Sequence, residues 1–151
     1  MNDISKFQGV IPAFYACYDK DGAVSPDGVR ALARYLLGKG VKGLYVGGSS
    51  GECIYQSVAE RKLVLENVMA EVGGKLTVIA HVACNNTADS RELAAHAESL
   101  GVDAIASIPP IYFHLPSIGT ISPLPPPTQI SSSITFPSWP VWRSPCPCWM
   151  R

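Results

Sequence analysis

The clearest indication of the fold is the stretch Gly43-Leu44-Tyr45-Val46-Gly47-Gly48-Ser49-Ser50-Gly51-Glu52. It opens with an apolar run that does not alternate with polar residues, as is typical of a parallel strand buried on both faces. The glycines that follow let the backbone approach a ligand closely, and the two neighbouring hydroxyls with their backbone amides can surround a carboxylate or a phosphate. A plain turn between a strand and a helix explains the same six residues, so both interpretations stay open.

The same pattern of apolar runs recurs on either side of this stretch. Residues 10–15, 76–82 and 104–108 also read as buried strands. With strand starts at residues 10, 44, 76 and 104, the spacings are 34, 32 and 28 residues, the length of one strand and one crossover helix. The sequence therefore predicts repeated βα units with right-handed crossovers.

Three amphipathic helices are predicted between these strands. The first begins with the cap Ser25 and a proline, the second with a Ser57–Glu60 capping box, and the third after Asn86. Each helix ends near a glycine: Gly38, Gly73 and Gly101 respectively. The predicted inward-facing residues are Val29, Leu32, Leu36 and Leu37, then Val58, Leu65, Val68, Met69 and Val72, then Leu93, Ala94, Ala97 and Leu100.

Four such units indicate an α/β fold, and they match the first half of a (β/α)8 TIM barrel. A complete barrel takes about 250 residues, so the 151 residues here supply strands one to four and leave two open edges. A smaller, doubly wound flavodoxin-like sheet closes with less chain and is the structural alternative.

Composition divides the chain near residue 116. Residues 1–116 contain all twelve acidic residues and all six lysines, whereas residues 117–151 contain neither and hold all three tryptophans and eight of the thirteen prolines. We therefore predict two regions: the half barrel at 1–116, and an irregular Pro/Ser/Trp-rich tail at 117–151 that is disordered or collapsed coil. Two origins for this tail stay open: out-of-frame translation of a longer gene, or a proline-rich linker or interaction tail.

The charge balance and the cysteines exclude several classes of function. Twelve basic residues balance twelve acidic ones, so the chain has no net charge to attract nucleic acid or an anionic membrane. It has neither a secretion signal at its start nor an apolar run of membrane-spanning length, which predicts a cytoplasmic location. Five cysteines without zinc-site spacing predict reduced thiols and no metal site. We expect no cofactor.

Four stretches together resemble the pyruvate-dependent class I aldolases. Among these, the chain looks most like the N-acetylneuraminate lyases, with the dihydrodipicolinate synthases as near relatives. The resemblance covers about residues 7–116. The stretches are Gly9-Val10-Ile11-Pro12-Ala13-Phe14, Leu44 to Glu52, Ile79-Ala80-His81-Val82 and Pro109-Pro110-Ile111-Tyr112.

This resemblance implies a (β/α)8 barrel, usually a homotetramer, that splits N-acetylneuraminate into pyruvate and N-acetylmannosamine through a Schiff base. It implies that Ser49 and Ser50 bind the pyruvate carboxylate. It also implies that Tyr112 projects into a neighbouring subunit's site as part of the subunit interface and proton relay.

The chain departs from the family pattern at the catalytic residues. The resemblance implies a Schiff-base lysine at the end of the sixth strand and a tyrosine from a Tyr-Asn-Ile-Pro-like segment after the fifth, and this sequence contains neither. Of its six lysines, only Lys20 is predicted in a loop at the carboxyl ends of the strands, between two aspartates that favour its charged form. We therefore expect an aldehyde-lyase by descent whose catalysis is lost in this polypeptide.

Three alternative functions stay open. They are a dihydrodipicolinate synthase-like or other 2-oxo acid aldolase, a non-catalytic module that binds 2-oxo acids or intact subunits, and a flavodoxin-like binding domain with an interaction tail. His81, inside an apolar strand, is interpreted as a hydrogen-bonded core histidine rather than as a base.

Overall fold

The computed structural model describes residues 5–109 of the chain. In this part, helices alternate with parallel strands, and short 3-10 turns lie at Ser5–Phe7 and Ser49–Gly51. The helices are α1 (Pro26–Gly38), α2 (Val58–Val72) and α3 (Thr87–Ser99), and the strands are β1 (Gly43–Val46), β2 (Thr77–His81) and β3 (Ala104–Ala106).

The sheet has the strand order β1-β2-β3, and every pairing between these strands is parallel. Residues 10–15 lie against the free side of β1 in the same direction, through a single parallel bridge between Ala13 and Tyr45. The segment order along the sheet therefore follows the order along the chain. A flavodoxin-like sheet instead places its first strand between the second and third. The described topology thus contradicts the flavodoxin-like alternative and has the sequential order of a barrel.

The predicted first strand at 10–15 is wrong as a regular strand. The Phe14 N–H donates to the Tyr45 carbonyl at 2.8 Å, and the Tyr45 N–H donates to the Pro12 carbonyl at 3.0 Å. The next bond of a parallel ladder would need an N–H at position 12, which proline lacks. The ladder is therefore interrupted on the amino-terminal side of this bridge, although the segment lies where the prediction placed it.

The helix predictions are confirmed at their ends. The Ser25 hydroxyl accepts the Gly28 N–H at 3.1 Å, and the Asn86 side chain accepts the Ala88 N–H at 2.8 Å. Ser57 and Glu60 form the predicted capping box. Two predicted strands are slightly too long: β2 loses one residue at each end, and β3 ends at Ala106 rather than at residue 108.

One hydrophobic core fills the space between the sheet and the helices. Its fully buried large side chains are Phe14, Val29, Leu44, Val68, Val72 and Val78. All the residues predicted to face inward from the three helices lie in this core or pack against it. The core fixes the strands side by side, so their carboxyl ends and the loops that follow them meet at one edge of the sheet.

Several predictions fall on residues that the structure does not describe. These are the subunit-interface role of Tyr112 and the tail at 117–151, and the boundary at residue 116 likewise stays a prediction. None of the helices within residues 5–109 combines the length and the apolar content that a membrane span needs.

Candidate functional site

The turn after β1, which we call the serine turn, consists of Gly47 to Glu52. Gly47 leaves the strand with φ at +73°, a left-handed conformation that glycine adopts without strain. Ser49–Gly51 then form a 3-10 turn, and Glu52 closes it at φ +55°. The sequence prediction of a glycine-rich turn at a strand's carboxyl end is confirmed.

Both predicted binding hydroxyls lie on this turn. Ser49 is exposed and Ser50 is half-buried. Within the described part of the chain, neither hydroxyl is hydrogen-bonded, nor do the backbone N–H groups of Gly48, Ser49 and Ser50 have an acceptor. Two hydroxyls and three N–H groups on consecutive residues can donate to a carboxylate.

The serine turn is held against the loop that follows residues 10–15. The Ala16 N–H donates to the Ser50 carbonyl at 3.3 Å, and a side chain at Gly51 would come within 3.0 Å of the Phe14 carbonyl. The Tyr18 hydroxyl donates to the Glu52 carboxylate at 3.1 Å. The turn is thus packed between its own strand and the preceding loop.

His81, the last residue of β2, contacts the start of the serine turn. Its side chain is buried, and its Nδ1 lies 2.9 Å from the Gly47 carbonyl oxygen. Burial and, after it, the adjacent Arg61 guanidinium lower the pKa of His81, whereas the Gly47 hydrogen bond raises it. The net effect is a pKa below its ordinary value. The interpretation of His81 as a hydrogen-bonded core histidine is confirmed.

Sequence reasoning missed Arg61, a buried cation on α2 behind the serine turn. It is 6% exposed. Its guanidinium donates to the His81 carbonyl at 2.7 Å and to the Ala83 carbonyl at 2.8 Å. Helical spacing places Arg61 on the same face of α2 as the inward-facing residues Val64, Leu65, Val68 and Val72. This periodicity is the signal that could have placed it inside.

All six lysines lie in the described part, and none is buried at the carboxyl ends of the strands. Lys6, Lys42 and Lys75 line a cleft at the amino ends with Asp103. Lys39 follows α1, and Lys62 pairs across the helices with Glu92 at 2.6 Å. The Lys20 side chain is 89% exposed, in agreement with the prediction of a solvated charge.

The thiols described by the structure are free, and two of them pack against the core. These two are Cys17 and Cys84, whereas Cys53 follows the serine turn. Burial raises the pKa of the Cys17 thiol, which disfavours its nucleophilic thiolate. Within residues 5–109, no group of side chains is arranged to hold a metal ion.

A family model, "Dihydrodipicolinate synthetase family", matches residues 6–122. The chain belongs to this family. The match includes the serine turn, β2 with His81, and β3, and it runs six residues beyond the predicted boundary at 116. This is the TIM-barrel family that the resemblance indicated, and the described sheet and helices are its N-terminal part.

Similar curated relatives are N-acetylneuraminate lyases. The chain is 73% identical to the enzyme of Mediterraneibacter gnavus over 116 residues, which cover 77% of this chain and 37% of the relative. It is 44% identical to the enzyme of Salmonella paratyphi B over 106 residues, 70% of this chain and 36% of the relative. The chain thus spans little more than a third of the length of these relatives.

Solved structures give the same result. A catalytic lysine mutant of Ruminococcus gnavus sialic acid aldolase superposes with a TM-score of 0.76 at 73% identity, covering 77% of this chain and 38% of that one. N-acetylneuraminate lyase from Mycoplasma synoviae superposes with a TM-score of 0.73 at 34% identity, covering 76% and 40%.

Proposed function

We propose that this chain carries the 2-oxo acid carboxylate site of an N-acetylneuraminate lyase, with Ser49 and Ser50 as its hydroxyl donors. The intact enzyme would cleave N-acetylneuraminate to N-acetylmannosamine and pyruvate in cytoplasmic carbohydrate metabolism. Its oligomer would be a homotetramer to which Tyr112 contributes.

The observation that carries the proposal is the free donor set on the serine turn. The hydroxyls and neighbouring N–H groups lie at the carboxyl end of a parallel strand, where TIM-barrel enzymes have their active sites. Charge-assisted hydrogen bonds to a carboxylate are each worth about 1.5 to 3 kcal/mol. Identity of 73% to a curated lyase supports this substrate class over other 2-oxo acids.

We also propose that the polypeptide does not catalyse the lyase reaction by itself. Schiff-base formation needs a neutral amine, usually obtained by burial or a nearby cation. Among the described residues, the only lysine on the carboxyl-end loops is Lys20, which is solvated and lies 3.9 Å from the Asp21 carboxylate. The carbonyl carbon of a bound 2-oxo acid therefore meets no amine that can attack it.

A dihydrodipicolinate synthase-like activity is the second candidate, since the matching family model bears that name. A non-catalytic module that binds 2-oxo acids or intact subunits is compatible with the same donor set. The substrate used by a reconstituted enzyme separates these candidates.

The test uses the purified chain with pyruvate and N-acetylneuraminate. Saturation-transfer NMR should detect weak pyruvate binding, and replacing both Ser49 and Ser50 by alanine should abolish it. Ser99→Ala, at the opposite end of the sheet in α3, is the matched control and should bind like the unmodified chain. Absence of pyruvate binding by the folded, unmodified chain would contradict the proposal.

Borohydride trapping tests whether the chain lacks an amine that can form the Schiff base. Borohydride reduces only an imine to a stable adduct, so the chain with pyruvate should give none, whereas the M. gnavus lyase should give one. Co-expression with the C-terminal remainder of that lyase should restore pyruvate release from N-acetylneuraminate. Release by the chain alone that survives Lys20→Ala would show that another group carries the chemistry.

A further inference from the structure

We infer that His81 is a positioning residue for the serine turn: its Nδ1–H, donated to the Gly47 carbonyl, fixes the peptide from which the two hydroxyls are presented. This inference rests on the proposed carboxylate site and adds a residue that does not touch the ligand. The decisive contact is the 2.9 Å distance between Nδ1 and the carbonyl oxygen. A carbonyl only accepts hydrogen bonds, so the proton must be on Nδ1.

The peptide between Gly47 and Gly48 needs such a restraint. Gly47 has a positive φ, and a side chain at Gly48 would come within 2.6 Å of the Tyr45 ring, so both positions require glycine. Two successive glycines leave a peptide unusually free to rotate. In a trans peptide the C=O and N–H point in opposite directions, so holding the Gly47 carbonyl also orients the Gly48 N–H.

Arg61 in turn holds His81 in place. Its Nη2 donates to the His81 carbonyl at 2.7 Å and lies 3.5 Å from Nδ1 of the same residue. Because Nδ1 already carries a proton, Nη2 does not donate to it, and the positive charge of the guanidinium disfavours the charged imidazolium. On the β1 side the Tyr45 ring lies 6.1 Å from the imidazole, between centroids. The imidazole ring thus lies between Arg61 of α2 and Tyr45 of β1.

Two substitutions of similar size separate positioning from packing. His81→Asn keeps an N–H donor near the place of Nδ1, and His81→Leu keeps bulk without a donor. In the full chain, we expect His81→Leu to weaken pyruvate binding about tenfold, the effect of one hydrogen bond. We expect His81→Asn to stay within about twofold of the unmodified chain. Equal binding by the leucine variant and the unmodified chain would overturn the inference.

A readout without ligand keeps the inference independent of the proposed function. The N–H groups of Gly51 and Glu52 bond to the carbonyls of Gly48 and Ser49 within the turn. Their hydrogen exchange should accelerate about tenfold in His81→Leu and recover in His81→Asn, while exchange at Val29 in α1 stays unchanged. If the unmodified chain binds no pyruvate but the two variants show this exchange pattern, only the proposed function fails.

A spectrum of the unmodified chain covers the case in which the leucine variant does not fold. Long-range ¹H–¹⁵N NMR correlations distinguish the two neutral histidine tautomers. His81 should show the proton on Nδ1. A proton on Nε2 alone would remove the donor on which the inference depends and would overturn it.

Discussion

At the scale of single residues, the serine turn depends on glycine for two different physical reasons. Gly47 supplies a left-handed φ, whereas Gly48 makes room for a ring. A Cβ added at Gly48 would lie 2.6 Å from Tyr45 Cε1, which is too short for two carbons, so either the turn or the ring would have to shift. The turn and the ring therefore constrain each other.

The first prediction is that Gly48→Ala destabilises the fold by about 1 to 3 kcal/mol, the usual effect of overpacking. The matched control is Gly38→Ala at the end of α1, where an added Cβ meets nothing within 4 Å and φ is not positive. This control should be neutral or stabilising by up to about 1 kcal/mol. Urea unfolding followed by circular dichroism measures both variants, and equal free energies of unfolding would contradict the prediction.

The second prediction concerns pH and His81. Burial, followed by the Arg61 charge, lowers the pKa of His81 below its ordinary value of 6.5. Between the folded pKa and 6.5 the unfolded state binds more protons, so the free energy of unfolding falls as pH falls through this window. Above pH 6.5 this contribution is constant. One proton limits the slope to about 1.4 kcal/mol per pH unit.

Thermal unfolding at a series of pH values from about 7.5 down to about 5 checks this sign. The His81→Asn variant should lose the His81 part of the slope. The series stops at about pH 5 to stay above the titration of the Glu60 carboxyl, because hydrogen bonds from Ser57 lower the pKa of that carboxyl below 4.5. A free energy of unfolding that rises on acidification toward about pH 5 would contradict the prediction.

The residue scale also shows where sequence reasoning stops. Ser49 and Ser50 could be placed because a glycine-rich motif is contiguous in the chain. The contact of His81 with Gly47 joins residues 34 apart in sequence, and Arg61 reaches the same point from α2. A charged residue is ordinarily expected at the surface, so only its phase with buried neighbours could have shown that Arg61 is inside. Such contacts depend on tertiary packing, which no local pattern contains.

At the scale of elements, caps explain why the helices were predictable and the first strand was not. A cap needs only residues within one turn of each other, and all three predicted caps are present. A strand depends on the ladder with its neighbour. The proline at position 12 interrupts that ladder although the apolar pattern of residues 10–15 is intact.

The third prediction is that Ser57→Ala destabilises α2 by about 1 kcal/mol, the usual value for a lost N-cap. The Ser57 hydroxyl accepts the Glu60 N–H, and the Glu60 carboxylate accepts the Ser57 N–H at 2.7 Å. Ser57→Thr keeps the cap and should lie within about 0.5 kcal/mol of the unmodified chain. Urea midpoints compare the two, and an unchanged midpoint in the alanine variant would show that the box contributes nothing.

At the scale of the whole molecule, the described sheet leaves its two sides without a further strand. Within residues 5–109, β2 is the one strand that pairs with β3, and β1 is the one strand that pairs with residues 10–15. Val10 and Ile108, on these two outer segments, are 69% and 49% exposed. Open edges and exposed apolar side chains favour association with other chains.

The fourth prediction follows from these edges. We expect the 151-residue chain alone to bind a hydrophobic dye and to unfold over a broad temperature range. Each large apolar side chain that lacks its opposite layer forgoes about 1.5 to 3 kcal/mol of burial. A whole domain is stable by only about 5 to 15 kcal/mol, so a few such losses leave the chain marginally stable and broaden its unfolding transition. The full-length M. gnavus lyase is the control and should melt sharply without binding dye. A sharp, cooperative transition from a monomer of the chain would mean that the open sheet is stable as it stands, and the two edges would then need no partner strands.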